Sequence, residues 1–307
     1  MGLSKHTRAI LEALLVTFLW STSWVLIKRG LNEIPALVFA GLRYTLAFAV
    51  LFPGLWRHRH ELRRIGARSW GALVCLGLLF YTLTQGGQFL TLKYLQATTF
   101  SLMLSLTPVL VAIVGLITLR EALRRLQWLG IAVFLAGSFL YFSPILAIQG
   151  SIFGFVLATI TVLANAAAAL VGRSLNRGKI ASPVAVTGIS MGVGAPLLLG
   201  IGVASQGLPS LSLQSWGMIL WLAVVNTALA FTLWNRTLRT LSATESSTIN
   251  NTMLVQIAVL AWLFLGETHD AVSIVGLVLA ALGTVLVHVR RRNPTSAGGA
   301  HNGGLHT

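Results

Sequence analysis

The sequence is short of charge, of acidic residues and of cysteine. Only 9% of its 307 residues are charged, whereas a soluble domain usually carries about 25%. Seven acidic residues stand against 22 Lys and Arg, which gives a formal net charge of +15. Cys75 is the single cysteine, so a disulfide within the chain is impossible. These shortages argue against a soluble globular domain and against a disulfide-stapled one.

Long apolar runs fill the chain instead, with 55% of all residues hydrophobic. A helix needs roughly 20 apolar residues to cross the hydrocarbon core of a bilayer. The runs do not alternate with polar residues, which excludes a membrane β-barrel. We therefore predict an all-α integral membrane protein with ten transmembrane helices. The predicted spans are 9–27, 35–56, 70–91, 98–119, 126–144, 151–172, 182–204, 215–235, 243–265 and 272–289.

The chain contains an internal repeat. When residues 69–140 are aligned without gaps on 215–286, 18 of the 72 positions are identical. Glu121 then falls on Glu267, and Gly137 falls on Gly283. Each copy holds five predicted spans, and an odd number places the second copy in the membrane upside down. The sequence thus predicts two inverted five-helix repeats, 5–144 and 151–292, followed by a disordered tail at 293–307.

The positive charge follows the predicted topology. With the N-terminus in the cytoplasm, 18 of the 22 Lys and Arg lie in cytoplasmic segments. The outer loops hold only Lys28, Arg29 and Lys93, and Arg43 lies within a span. This is the bias that the positive-inside rule describes. It places both termini in the cytoplasm and makes nucleic acid a poor partner for the excess charge.

Three short motifs do not fit their usual functions. Gly188-Ile189-Ser190-Met191-Gly192 has the pattern of a hydrolase nucleophile elbow, but it lies inside a predicted span rather than on a strand-to-helix turn. A glycine pair before Lys179 is spaced wrongly for a phosphate loop. The seven histidines lie in loops, tails or span ends without metal-ligand spacing. We expect no enzyme activity, no cofactor and no metal.

Two acidic residues near span ends have competing interpretations. Ser242-Ala243-Thr244-Glu245 fits a helix capping box, which we favour over a coupling role for Glu245. Glu12 lies one turn into the first span, where it can snorkel to the interface or serve as a weak proton-relay candidate.

Arg43 is the clearest ionisable residue within a span, and such residues mark functional sites by default. No acidic residue lies at a matching depth in the sequence. Arg43 can bond carbonyl groups at helix ends, or its planar fork can hold a substrate carboxylate. The sequence leaves both roles open.

Further polar and aromatic residues occupy several predicted spans in both halves. They can bond helices to each other, or line a polar cavity at the repeat interface, which we prefer for the set. The candidates for substrate contact, besides Arg43, are Trp20, Trp24, Tyr81, Gln85, Gln88, Asn165, Asn226, Asn251 and Gln256.

Two prolines lie in mid-span. Pro108 removes a backbone hydrogen bond and is expected to bend the fourth span, and Pro196 is expected to do the same in the seventh. The bends can serve a gate and free carbonyl groups for the cavity, or they can be static packing kinks.

The pattern resembles the EamA family of the drug/metabolite transporter superfamily. The matching residues are Leu19-Trp20-Ser21, Arg43-Tyr44 and Leu106-Thr107-Pro108-Val109, together with the Ala, Glu and Gly positions that the repeat duplicates. The resemblance implies a ten-helix carrier of small metabolites in the bacterial inner membrane, and many members export amino acids. One position departs from the repeat, because Leu254 matches Pro108. The second copy is therefore expected to bend differently there.

The main functional hypothesis is a secondary transporter that exports amino acids or related metabolites by alternating access. It works without a cofactor, as a monomer or homodimer in membrane lipid. A multidrug or amine efflux transporter is the closest alternative. An organic-phosphate or nucleotide-sugar exchanger is less favoured, because phosphates need clustered Lys and Arg. A membrane enzyme or a non-transporting subunit is the remaining possibility.

Overall fold

The computed structural model describes residues 4–62, 65–119, 125–142, 151–177, 181–237, 240–241 and 243–288. Helices joined by short connections account for this part of the chain, and it contains no strand. The helices are α1 (Lys5–Gly30), α2 (Ala36–Arg57), α3 (Arg59–Leu62), α4 (Ala67–Gly77), α5 (Gly86–Tyr94), α6 (Ala97–Leu104), α7 (Thr107–Leu119), α8 (Arg125–Phe142), α9 (Ile152–Arg177), α10 (Pro183–Gln206), α11 (Leu213–Ala223), α12 (Ala230–Thr237), α13 (Ala243–Leu265) and α14 (Ala271–His288).

Six helical stretches are long and apolar enough to cross a membrane. They are Lys5–Gly30, Ala36–Arg57, Ala67–Tyr94, Ile152–Gly172, Val184–Gln206 and Leu213–Trp234. Shorter apolar helices cover the remaining four predicted spans, at Ala97–Val111, Arg125–Tyr141, Ile249–Leu265 and Ala271–Leu286. The predicted tail and Glu121 lie outside the described residues.

Serine caps begin several helices. The Ser4 hydroxyl accepts a hydrogen bond from the Thr7 N–H at the start of α1, and Ser212 accepts one from Ser215 at the start of α11. Each cap satisfies a backbone donor that has no partner inside the helix. The side chains of these short polar residues therefore fix where the apolar segments begin.

The same irregularity occurs in both halves of the chain. A π-helical segment, Leu78–Gln85, joins α4 to α5, and a second one, Val224–Leu229, joins α11 to α12. Leu78 and Val224 are matched positions of the sequence repeat. In each segment a threonine hydroxyl donates to the carbonyl five residues earlier, from Thr84 and from Thr227. The repeat thus preserves local backbone geometry as well as hydropathy.

Matched helices of the two halves pack against each other in opposite directions. The α-carbon of Gly41 in α2 lies against the Leu199 backbone in α10, and Gly202 lies against Leu37. Residue numbers increase along α2 in the direction in which they decrease along α10, so the two helices are antiparallel. The pair α8 and α14 shows the same antiparallel contact, at Gly137 with Gly276 and at Gly130 with Gly283. Glycine allows these close approaches because it has no β-carbon.

Hydrogen bonds between helix ends distinguish the two ends of the bundle. At the end where α1, α5 and α13 finish, here called the Lys28 end, Lys28 Nζ donates to the carbonyls of Leu92 and Leu95. Arg29 at the same end donates to the Phe264 carbonyl over 2.9 Å. These bonds tie α1 to the ends of α5 and α13.

The opposite end, here called the Arg8 end, carries ion pairs. Glu12 lies 2.9 Å from Arg8 and 3.7 Å from Arg236, which gives this predicted relay candidate two cationic neighbours. Glu245 lies 3.1 Å from His6, whereas Ser242, the first residue of its predicted capping box, lies outside the described residues. Hydrogen bonds from the Ser182 side chain and backbone hold the pKa of the half-buried Glu61 carboxyl below its usual value.

Candidate functional site

The fourth predicted span is interrupted in the middle. Helix α6 ends at Leu104, residues 105–106 form a turn, and α7 begins at Thr107. Pro108 thus lies in the first turn of a new helix, where its missing N–H costs no intrahelical bond. The expectation of one helix bent at Pro108 was wrong, because the backbone breaks instead. The matched helix α13 runs unbroken through Leu254, so the predicted difference between the two copies is confirmed.

Hydroxyl groups satisfy the carbonyl oxygens at this break. The Ser105 hydroxyl donates to the Leu102 carbonyl over 2.6 Å, and the Thr107 hydroxyl donates to the Leu104 carbonyl over 2.7 Å. Buried carbonyls without a partner are costly in lipid. The two side chains therefore make an interrupted helix tolerable at membrane depth.

A cavity of about 240 Å³ lies beside the break. It is bounded by α1, α6, α7, α9, α13 and α14. Its lining residues are Trp24, Ser101, Leu104, Ser105, Thr107, Pro108, Asn165, Asn250, Asn251, Met253, Leu254, Ile257 and Thr284. Amides and hydroxyls share the wall with apolar side chains, and no charged residue belongs to this lining.

Asn165 connects the two sides of the cavity wall. Its Nδ2 donates to the Thr107 hydroxyl over 3.1 Å, which joins α9 to the start of α7. Trp24 forms part of the apolar wall, and its ring lies 5.3 Å from that of Phe100. A ligand in the cavity would meet hydrogen-bonding groups and an aromatic surface together.

The predicted site residues divide between this cavity and the surrounding helix packing. Trp24, Pro108, Asn165 and Asn251 line the cavity. The lining does not include the other predicted residues, namely Trp20, Arg43, Tyr81, Gln85, Gln88, Pro196, Asn226 and Gln256.

Arg43 belongs to a separate buried network. Only 3% of its surface is exposed. Its Nε donates to the Thr227 hydroxyl over 3.0 Å, and its guanidinium carbon lies 5.1 Å from the Tyr44 ring centroid. The Tyr44 hydroxyl donates to Gln85 Oε1 over 2.6 Å, and the Tyr44 and Tyr81 rings are 5.7 Å apart. Gln88 is also buried in this half of the protein.

Trp20 and Asn226 lie where α1 meets the second half. The Trp20 ring centroid is 5.4 Å from Phe231 and 5.3 Å from Trp234. Asn226 Nδ2 donates to the Leu19 carbonyl and to the Thr22 hydroxyl. Within the described part of the chain its buried Oδ1 has no hydrogen-bond partner. Trp20 packs α1 against α12, and Asn226 bonds α1 to the π-helical segment Val224–Leu229.

Gln256 bonds helices to each other. Its Oε1 accepts from the Ser21 hydroxyl over 2.9 Å, and its Nε2 donates to Thr252 over 2.9 Å. These bonds join α13 to α1. They agree with the alternative interpretation, in which polar residues in the spans bond helices to each other rather than line a cavity. Pro196 lies inside α10 but is exposed on the outside of the bundle. Pro196 does not belong to the lining of this cavity, and its role as part of a gate or as a static packing kink stays a prediction.

Several lining residues were missing from the predicted set, notably Ser101 and Thr284. A hydroxyl inside a span commonly bonds its own helix backbone, so its presence alone says little. The spacing of Ser101, Ser105 and Pro108 by four and three residues places them on one face of a continuous helix, and this was the available signal. No local sequence pattern indicates that Thr284 lies beside the cavity.

Comparisons with known proteins agree with this architecture. A model of the EamA-like transporter family matches residues 7–143 and again 152–289. The transporter YoaV of Bacillus subtilis is 24% identical over 90% of this chain and 93% of its own length. The YvbV transporter of the same organism is 32% identical, over 44% of this chain and 43% of its own.

Two further similarities cover most of the molecule. An S-adenosylmethionine/S-adenosylhomocysteine transporter of Chlamydia trachomatis is 25% identical over 91% of this chain and 89% of its own. A solved crystal structure has a TM-score of 0.64 at 18% identity and covers 91% of this chain and 96% of that one. At this identity it shows a shared fold. The two family matches together span most of the sequence, and the chain therefore belongs to the EamA-like transporter family.

Proposed function

We propose that this transporter exports a small amino acid or a related metabolite across the bacterial inner membrane by alternating access. The observation that carries the proposal is the interrupted α6–α7 segment beside an uncharged, amide-lined cavity. Discontinuous helices commonly form the substrate sites of secondary transporters. The proposal includes ten spans in two inverted repeats, both termini in the cytoplasm, and a monomer or homodimer in membrane lipid.

The antiparallel pairing of matched helices supports the inverted arrangement. In a repeat related by an axis along the membrane normal, equivalent helices run parallel. Here α2 lies antiparallel to α10, and α8 lies antiparallel to α14. A two-fold axis in the membrane plane would produce this geometry, which agrees with the prediction of five spans in each copy.

The cavity wall supports a small zwitterionic or neutral substrate. Asn165 and Asn251 offer amides, and Trp24 offers an apolar surface. Sites for drug-sized ligands usually measure about 300–1,000 Å³, so a cavity of about 240 Å³ favours a metabolite over a multidrug substrate. A phosphate would need cationic partners, and the cavity lining holds no Lys or Arg. We therefore disfavour an organic-phosphate exchanger.

We assign substrate contact to Trp24, Asn165 and Asn251. Arg43 and the other predicted residues would contact the substrate only in a conformation that extends the cavity toward α2 and α11. The lining holds no acidic residue, and Glu12 is paired with two arginines. Facilitated or exchange transport is accordingly expected, and concentrative uptake driven by a pH gradient alone would contradict it.

A second substrate class follows from the similarity to a transporter of S-adenosylmethionine and S-adenosylhomocysteine. These compounds join an amino-acid zwitterion to an aromatic base. The Trp24 ring could stack on such a base, and the amides could bind the zwitterion. Because the cavity is small, this substrate would need an expanded conformation of the same site.

The test is exchange transport in proteoliposomes with purified protein. Neutral and acidic amino acids, S-adenosylmethionine and a cationic drug are compared as substrates. Asn251→Ala and Asn165→Ala are expected to lower the transport rate about fivefold, since each removes a substrate hydrogen bond worth roughly 1 kcal/mol. Gln206→Ala is the control, because that amide accepts from the Leu37 N–H outside the cavity. Wild-type rates in both Asn variants, for every transported substrate, would reject this site.

A further inference from the structure

The corner between α5 and α6 is held by two opposite charges from other helices. Lys28 Nζ in α1 donates to the Leu92 and Leu95 carbonyls, over 2.5 and 2.6 Å, where α5 ends. The Glu267 carboxylate accepts from the Ala97 N–H over 2.6 Å and from the Thr98 N–H over 3.1 Å, where α6 begins. The Thr98 hydroxyl donates to it as well, over 2.8 Å.

Each charge matches the helix end that it contacts. Unpaired carbonyls give the end of a helix a partial negative charge, and unpaired N–H groups give its start a partial positive charge. The Lys28 ammonium contacts the negative end of α5, and the Glu267 carboxylate contacts the positive start of α6. Only 6% of Glu267 is exposed, so these donors take the place of the water that would bind an exposed carboxylate.

The two charges come from parts of the chain that are far apart. Lys28 lies near the end of α1, whereas Glu267 follows α13 in the second half. Arg29 joins the same two helices through the Phe264 carbonyl. The element that they hold is α6, an eight-residue helix whose last turn contributes Ser101 and Leu104 to the cavity wall. A movement of the corner would therefore change the cavity directly.

We propose that Lys28 and Glu267 form the closure of the cavity at the Lys28 end, and that substrate passes this end only when both charges leave the α5–α6 corner. This inference rests on the proposed alternating-access function. The two are positioning residues, since they act on the cavity through α6 and do not line it. In the open state water must hydrate both charges. Bonds to water then replace the hydrogen bonds that the two side chains make at the corner in the closed state.

The choice of variants follows from the donor pattern. Glu267→Gln replaces one carboxylate oxygen by an NH₂ group, which would face a backbone N–H at the start of α6 and could not accept from it. Lys28→Met keeps an unbranched side chain that is one atom shorter, and it removes the charge and the donors. Asp270→Asn is the matched control, because the exposed Asp270 lies at the same end and accepts from the Ser273 N–H at the start of α14, away from the α5–α6 corner.

The experiment measures access to the cavity from each side of the membrane. Ser105→Cys supplies a thiol in the cavity wall, in a background where Cys75→Ser removes the natural one. The protein is reconstituted in vesicles of known orientation and labelled with a membrane-impermeant maleimide from one side or the other. Glu267→Gln and Lys28→Met are expected to raise labelling from the Lys28 side about tenfold, as the loss of charge-assisted hydrogen bonds implies. Asp270→Asn is expected to leave it unchanged.

The outcomes separate closure from general stabilisation. Labelling that rises only from the Lys28 side supports the proposal. Labelling that rises equally from both sides, or does not change in well-folded variants, overturns it. If Glu267→Gln does not fold, Lys28→Met and Glu267→Asp carry the same test. The assay needs no substrate, so a side-specific response without transport of any candidate would reject the proposed substrates and leave the closure intact.

Discussion

Gly137 and Gly276 face each other where α8 crosses α14, with no room for a side chain on either. A β-carbon on Gly137 would lie 2.6 Å from the Gly276 carbonyl oxygen, and one on Gly276 would lie 2.7 Å from the Gly137 carbonyl oxygen. The matched glycines, Gly283 and Gly130, make the second such contact of the pair. Four glycines at duplicated positions, Gly130, Gly137, Gly276 and Gly283, thus form the contact between α8 and α14.

A methyl group at this crossing should separate the helices. Gly276→Ala is expected to lower the free energy of unfolding by about 1–3 kcal/mol, as overpacking usually does. The control is Gly217→Ala, also within a helix, where a β-carbon would have no neighbour within 4 Å. Thermal unfolding in detergent measures both. Equal midpoints for the two variants would contradict a close crossing.

Opposite orientation of the repeats predicts opposite accessibility at matched positions. Arg68 and Gln214 are related by the repeat register, and both are exposed just inside the start of a helix. In a Cys75→Ser background, Arg68→Cys should react with an impermeant maleimide only from the cytoplasmic side and Gln214→Cys only from the outer side. Labelling of both from one side would end the inverted-repeat interpretation.

The helix break depends on Pro108. Its ring would clash with the carbonyl of Leu104 in a continuous helix, and it cannot donate to that carbonyl. Pro108→Ala removes both obstacles, so α6 and α7 are expected to approach the unbroken form of α13. Transport should fall several-fold while thermal stability stays level or rises. Pro196→Ala is the control, because Pro196 is exposed and lies outside the cavity lining. Unchanged transport in Pro108→Ala would show that the break is dispensable.

Arg43 and Thr227 couple α2 to the second π-helical segment. A hydrogen bond to a charged group contributes roughly 1.5–3 kcal/mol. A double-mutant cycle with Arg43→Met and Thr227→Val should therefore give a coupling free energy of unfolding in that range. Transport is measured on the same variants, normalised to folded protein. A coupling near zero would mean that the buried guanidinium is stabilised elsewhere.

Sequence patterns were sufficient for the helices and for part of the cavity lining. Membrane-length apolar runs force the backbone to bond within each segment, so the helices followed from hydropathy. Asn165, Asn251 and Trp24 were found because amides and tryptophan are unusual in mid-span. Arg43 and Gln256 satisfied the same criterion, yet they bond Thr227 and Ser21. A polar residue within a span is costly whether it lines a cavity or bonds a neighbouring helix. Its rarity therefore does not reveal which of the two roles it has.

The sequence by itself determined the membrane class, the positions of the apolar helices and the duplication, because each depends on local hydropathy or on direct comparison of residues. The tertiary structure decided the break before Pro108, the capping of α6 by Glu267 and the division of the polar residues between cavity and packing. These depend on distances between residues far apart in the chain, such as the 170 positions between Ala97 and Glu267. No local pattern encodes such distances, since they arise only when the helices pack.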